Sequence, residues 1–225
     1  MGVPRPAGQV MTKRPARRLT QAALGLGVEA LSAADPDLAT VVARFGPPPM
    51  WARRPGYATL VQIILEQQVS LASGRATFGR LRTAFGSVTP DVFARLTVAE
   101  VRSAGVTRQK AGYCQEIAQK IVDGTLDLGR LGRASDQSVR RQLMEIRGIG
   151  PWTADIYLLM ALGRPDVWPD GDLALAVAAQ RVKRLKDRPD TARLQRIAEP
   201  WAPWRAVGAR ILWHYYLSTR SAREP

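Results

Sequence analysis

Cysteine and histidine are almost missing from this sequence: each occurs once among 225 residues. A lone cysteine, Cys114, excludes an intramolecular disulfide, a cysteine-built zinc site and an iron–sulfur cluster. A lone histidine, His214, removes histidine-rich metal chemistry and argues against a Ser/His/Asp triad. No apolar run approaches the roughly 20 residues needed to span a bilayer. The N-terminus lacks the apolar segment of a signal peptide. Acidic residues are scarce as well, with 19 Asp and Glu against 33 Lys and Arg, a net charge of +14 and a pI of about 11.1. A field of that sign favours polyanions, so a nucleic acid is the expected partner and a membrane is not. The expected setting is the cytoplasm of a cell whose DNA shares that compartment.

What is present points to a globular helical protein. Hydrophobic residues make up 46% of the chain, enough to build one domain or a compact pair of lobes at this length. Residues 1–18 combine Pro4, Pro6 and Pro15 with Arg5, Lys13, Arg14, Arg17 and Arg18, the composition of a flexible basic arm. From residue 19 onward the pattern is helical: Leu60, Ile63 and Ile64 share one face of a segment over 57–67. Asp35-Pro36, Ser70, Thr107 and Ser135 or Asp136 provide helix starts, and Thr97 with Glu100 forms a capping box. Further helices are expected over 151–161, 173–186 and 203–218. Sustained strand alternation is absent, so the fold class is all-α with about ten helices.

The most informative segment runs from Leu143 to Asp155. One helix ends near Ile146, the hairpin Arg147-Gly148-Ile149-Gly150 follows, and Pro151 occupies the first position of the next helix. Two glycines one residue apart permit positive φ and close approach. The amides of the hairpin and of the following helix start point outward with the positive end of the dipole, a main-chain cradle for phosphate that reads no sequence. A tight helix–helix turn is the plainer alternative.

Four segments in order resemble the helix-hairpin-helix DNA glycosylases, specifically the bacterial 3-methyladenine DNA glycosylase II group. They are Leu65-Glu-Gln-Gln-Val-Ser70, Gly148-Ile-Gly-Pro-Trp-Thr-Ala154, Asp166-Val-Trp-Pro-Asp-Gly-Asp172, and Pro203-Trp-Arg205 with Trp213. The likeness covers residue 30 onward and lacks the N-terminal β-rich domain of some members. It implies two helical lobes with a cleft between them: 19–56 with 170–225, and 57–169 carrying the helix-hairpin-helix at 143–161.

Asp172 also has the local look of a helix N-cap, and the two roles are compatible, because the dipole that welcomes a cap favours an anion. The resemblance makes it the catalytic carboxylate, stabilising positive charge that develops on the deoxyribose. Trp152 stands where lyase-active relatives carry a Schiff-base lysine, so hydrolysis without strand nicking is implied. Trp152, Trp213 and Ile156 are the implied base pocket, and Ile156 departs from the aromatic residue of the best-known member. Asp155 either faces the site or caps the hairpin. Gln68 aligns with the wedge that fills the hole left by an extruded base. DNA contacts are expected at Arg147, Gly148, Ile149, Gly150 and Thr153, and at Arg108 and Lys110, whose charges oppose the dipole of their helix and so call for a partner. Lys183, Arg184 and Lys186 are further phosphate candidates. The expected partner is double-stranded DNA with damaged bases, bound by a monomer without cofactor, save for a monovalent cation on hairpin carbonyls. Two alternatives stand: a glycosylase for mismatched or deaminated bases, and a non-catalytic binder of DNA structure.

Overall fold

The computed structural model describes residues 18–221; the basic arm expected over 1–18 lies outside them except for Arg18. Among the described residues every regular element is helical. α1 (Gln21–Ala34) and α2 (Pro36–Phe45) precede an irregular loop, followed by α3 (Tyr57–Glu66), α4 (Leu71–Phe85), α5 (Pro90–Phe93) and α6 (Val98–Ser103). α7 (Arg108–Val122), α8 (Leu128–Leu131), α9 (Asp136–Met144) and α10 (Pro151–Ile156) lead into a π-helical turn at Tyr157–Ala161. α11 (Leu173–Val182), α12 (Thr191–Ala198) and α13 (Arg205–Ser221) complete the described chain.

Local chemistry starts most of these helices. Asp35 accepts from the amides of Asp37 and Leu38 at 3.1 and 3.3 Å. Ser70 accepts from Ser73 N, Thr107 from Lys110 N and Ser135 from Ser138 N. The Thr97–Glu100 box closes in both directions. Several boundaries and elements differ from expectation. α11 stops at Val182 rather than 186, because Arg184 turns to φ 51. α8 and α12 were not anticipated; α12 is an eight-residue helix capped by Asp190, which accepts from Arg193 N at 2.7 Å. α13 begins at Arg205, where the Asp166 side chain caps the amide from 39 residues away and also grips the guanidinium at 2.8 and 2.7 Å.

The helices pack in two groups. α1 and α2 assemble with α11, α12 and α13, while α3 to α7 assemble with α9, α10 and the π-helical turn. A continuous set of buried apolar side chains runs through both. Polar bonds stitch the seam between the groups. The Met160 carbonyl accepts from Arg53 N at 2.8 Å, and the Tyr157 hydroxyl accepts from Gly56 N at 3.1 Å. Arg210, 0% exposed, donates to the carbonyls of Met50, Ala206 and Leu159. Burial pulls its guanidinium down to about 10.

Candidate active site

Asp172 is the N-cap of α11 and lies 8% exposed at the end of the loop from the π-helical turn. Its carboxylate is held by three donors. The Leu175 amide reaches Oδ1 at 2.8 Å, the Trp213 indole N–H reaches the same oxygen at 3.2 Å, and the Trp152 indole N–H reaches Oδ2 at 2.9 Å. Trp152 comes from the first turn of α10 in one helix group, and Trp213 from α13 in the other. The carboxylate is therefore the point where the two groups converge. N–H donors on a charged acceptor are stronger than neutral pairs and fix its orientation before any ligand arrives. Gly171, Asp172 and Leu173 also line a pocket of about 320 Å³ with Ala176, Arg188, Asp190 and Leu194.

The other pocket candidates are less accessible than expected. Ile156 is 3% and Trp213 8% exposed, both inside the hydrophobic core; Trp152 is half-buried. Trp51, which the sequence did not single out, packs edge-on against Trp213 and His214 with centroids at 6.5 and 6.4 Å. It holds φ 47, a costly conformation for a bulky residue and one that packing must enforce. His214 is anchored away from the carboxylate, its ring N–H donating to the Phe45 carbonyl at 2.9 Å.

In the hairpin the two glycines have different reasons. Gly148 has φ 87, and a Cβ there would fall 2.1 Å from the Tyr113 ring. Gly150 has φ −93 and ψ −179 as the N-cap of α10, and a Cβ there would meet nothing within 4 Å. The expectation of positive φ holds for Gly148 and is corrected for Gly150, whose missing side chain leaves open space before the helix start. The Ile149 amide is taken by the Ile146 carbonyl at 3.1 Å. The amides of Gly148, Gly150, Trp152 and Thr153 find no acceptor among the described residues. Ile149 and Thr153 are 4% and 2% exposed, main chain included, so the phosphate contacts expected at these two residues are corrected: neither presents itself at the surface. Arg147 is exposed and lies 3.7 Å from Glu116.

Gln68 is exposed at the turn between α3 and α4, with φ 57. Gln67, unmarked in the sequence, joins this turn to the hairpin by donating from Nε2 to the Gly148 carbonyl and to Thr153 Oγ1, both at 2.9 Å. Three basic candidates are corrected by partners within the chain. Lys110 donates to the carbonyls of Leu65 and Gln67 at 3.0 and 2.8 Å, so its partner is the carbonyl end of α3 rather than a phosphate, and burial lowers its pKa. Lys183 is clamped by Asp35 and Asp37, and Arg184 lies 3.4 Å from Asp37. Arg108 and Lys186 are exposed.

Asp155 neither faces the site nor caps the hairpin. It is 1% exposed, pairs with Arg140 of α9 and accepts from the Asp170 amide at 3.4 Å. Burial holds its carboxyl above the ordinary value, with Arg140 opposing. It thus ties the loop that ends in Asp172 to the helices flanking the hairpin. Among the described residues no group of three or more His, Cys, Asp or Glu could hold a metal ion, and no helix is long and apolar enough to cross a membrane.

An all-α fold in two helical groups, with a helix-hairpin-helix and a single caged carboxylate where they meet, defines a class of DNA-base-excising proteins. Residues 61–203 match the family described as HhH-GPD superfamily base excision DNA repair protein, and the chain belongs to it. It is 28% identical to a DNA-3-methyladenine glycosylase of Bacillus subtilis over 67% of this chain and 54% of that one. The chain spans little more than half the length of such relatives. Among solved structures it is similar to a DNA-3-methyladenine glycosidase of Bacillus halodurans, with a TM-score of 0.71 and 28% identity over 87% of this chain and 91% of that one. A second is the 3-methyladenine DNA glycosylase of Schizosaccharomyces pombe in complex with abasic DNA, with a TM-score of 0.75 and 25% identity over 83% of this chain and 94% of that one.

Proposed function

We propose that this protein is a monofunctional DNA glycosylase that extrudes an alkylated base such as 3-methyladenine and hydrolyses its N-glycosidic bond, opening base excision repair. The observation that carries the proposal is the Asp172 carboxylate, held by one amide and two indole N–H groups contributed from both helix groups. As the C1′–N bond breaks, its electron pair leaves with the base and positive charge builds on the sugar. An oriented anion in a poorly hydrated site stabilises that charge. Water adds its oxygen to C1′, and Asp172 accepts the proton released. Alkylation at N3 or N7 already makes the purine cationic, so it departs neutral and needs no protonating side chain. The second carboxylate lining the pocket, Asp190, is committed to capping α12.

The amides of Gly148, Gly150 and Trp152, with Arg147 and Arg108, are the proposed grip on the phosphates of double-stranded DNA. Gln68 is the proposed wedge. All site groups come from one chain, in keeping with a monomer, and the substrate would place the protein at the nucleoid. The chemistry needs no cofactor. A monovalent cation on the hairpin would have to share the carbonyls of Gly148 and Ile146 with Gln67 and the Ile149 amide, and no step depends on it.

The test is base release from duplexes carrying single alkylated, deaminated or oxidised bases, with the unaltered protein and with Asp172→Asn. Release confined to alkylated bases and lost in the variant is the expected result. Release of deaminated bases alone, or undiminished release by the variant, would overturn the proposal.

A further inference from the structure

The turn that carries Gln68 is held more firmly than an exposed loop requires. Gln68 occupies the left-handed region at φ 57, and Val69 and Leu71 beside it are 46% and 43% exposed. A non-glycine residue there is strained and relaxes unless its surroundings prevent it. Two side chains prevent it. From α7, Lys110 Nζ bonds the carbonyls of Leu65 and Gln67. From within the turn, Gln67 Nε2 bonds the Gly148 carbonyl and Thr153 Oγ1. Gly148 is the hairpin residue at φ 87, itself packed against Tyr113 of α7. The turn, the hairpin and α7 therefore close a ring of contacts in which each member fixes the other two.

We propose that Gln67 and Lys110 are positioning residues that lock the Gln68 turn and the phosphate-gripping hairpin into one rigid jaw, so that seizing the backbone and entering the base stack become a single event. This rests on the glycosylase function proposed above. A duplex bound by the hairpin then meets the exposed Gln68-Val69-Leu71 tip at a set distance and angle, and the energy of the phosphate contacts is applied to unstacking rather than spent in bending the turn. Cutting the tie leaves the hairpin amides able to hold phosphates, while the tip yields when pressed against the stack. The loss therefore falls on extrusion and not on contact with undamaged DNA.

The discriminating experiment varies how much extrusion the substrate demands. Gln67→Ala and Thr153→Val each remove part of the tie, and Thr153→Val does so with little change of shape. Single-turnover base release is measured on a duplex with an alkylated purine paired normally and on one with the same lesion in a mispair, where it is already loosened. Affinity for undamaged duplex is measured by fluorescence anisotropy. For Gln67→Ala we expect roughly ten-fold slower release from the paired lesion, the scale of one lost hydrogen-bonding group. Release from the mispaired lesion should stay within about two-fold, and affinity for undamaged duplex should be unchanged. Equal losses on both lesions in both variants, or losses that only track a lowered melting temperature, would overturn the proposal. No release by the unaltered protein from either duplex would instead overturn the glycosylase function, and the jaw with it.

Discussion

Replacing Asp172 by asparagine tests both the chemistry and the cage around it. The two indoles and the Leu175 amide supply three donors, two on Oδ1 and one on Oδ2. Asparagine placed with its oxygen at Oδ1 keeps the helix cap and the Trp213 bond. Its NH2 group then stands 2.9 Å from the Trp152 nitrogen, donor against donor. Stranding a half-buried donor costs roughly 1–3 kcal/mol, and in a protein of this size each kcal/mol lowers Tm by about 2–4 °C. Removing the Trp152 donor as well should relieve the clash, so Asp172→Asn with Trp152→Phe is expected to be less destabilised than the two single changes summed. Urea unfolding of the four proteins closes the cycle. Base release by every protein carrying Asp172→Asn should fall on the order of 10²–10³-fold or more, with no recovery in the double variant. Additive unfolding energies would refute the donor arrangement, and surviving base release would refute the role of the anion.

Further expectations follow from the same geometry. Gly148→Ala drives a Cβ to 2.1 Å from Tyr113 at φ 87 and should destabilise by about 1–3 kcal/mol, read as a lower Tm. Gly150→Ala meets open space at φ −93; it should leave Tm unchanged while weakening duplex affinity, since its methyl group stands before the free amides. Asp35 sits below its ordinary value of 3.8: burial raises it, but the bonds from Lys183 and the Trp201 indole outweigh burial. A lowered carboxyl contributes stability above its unfolded value and loses it as pH falls through the folded one. The stability gap between the unaltered protein and Asp35→Asn, measured by urea midpoints, should therefore be constant above about pH 5 and narrow as pH falls through and below 3.8; a gap that stays constant throughout would contradict the pairing. Because an indole at 152 cannot form an imine, borohydride should trap no covalent adduct with abasic DNA, and one trapped adduct would disprove hydrolysis without nicking.

Much of this fold was legible because its signals are local. The Thr97–Glu100 box, the Asp35 cap and the apolar spacing of Leu60, Ile63 and Ile64 lie within one or two helical turns, and each produced the element it implied. Asp172 was legible both as a cap and, through the family likeness, as a carboxylate of interest. What escaped was non-local. Arg140 and Asp155 carry no mark of their pairing, and Asp166 gives no sign of capping a helix 39 residues further on. Gln67 reaches a carbonyl 81 residues away. Lys110 shows the limit most clearly: an unfavourable charge at a helix start did call for a partner, but only the folded arrangement places the end of α3 within its reach. α12 escaped because eight residues between Pro189 and Pro200 offer too few turns for a period to declare itself.

The π-helical turn at Tyr157–Ala161 has a consequence for how the two helix groups are joined. Widening the helix by one residue offsets its carbonyls, and those of Leu159 and Met160 are taken by Arg210 and by the Arg53 amide. Prising the two groups apart would take the Leu159 carbonyl from the fully buried Arg210 guanidinium and break the bond from the Arg53 amide to Met160, so the turn binds the groups together. In the glycosylase proposed above, a mouth braced in this way would leave the bending to the double helix.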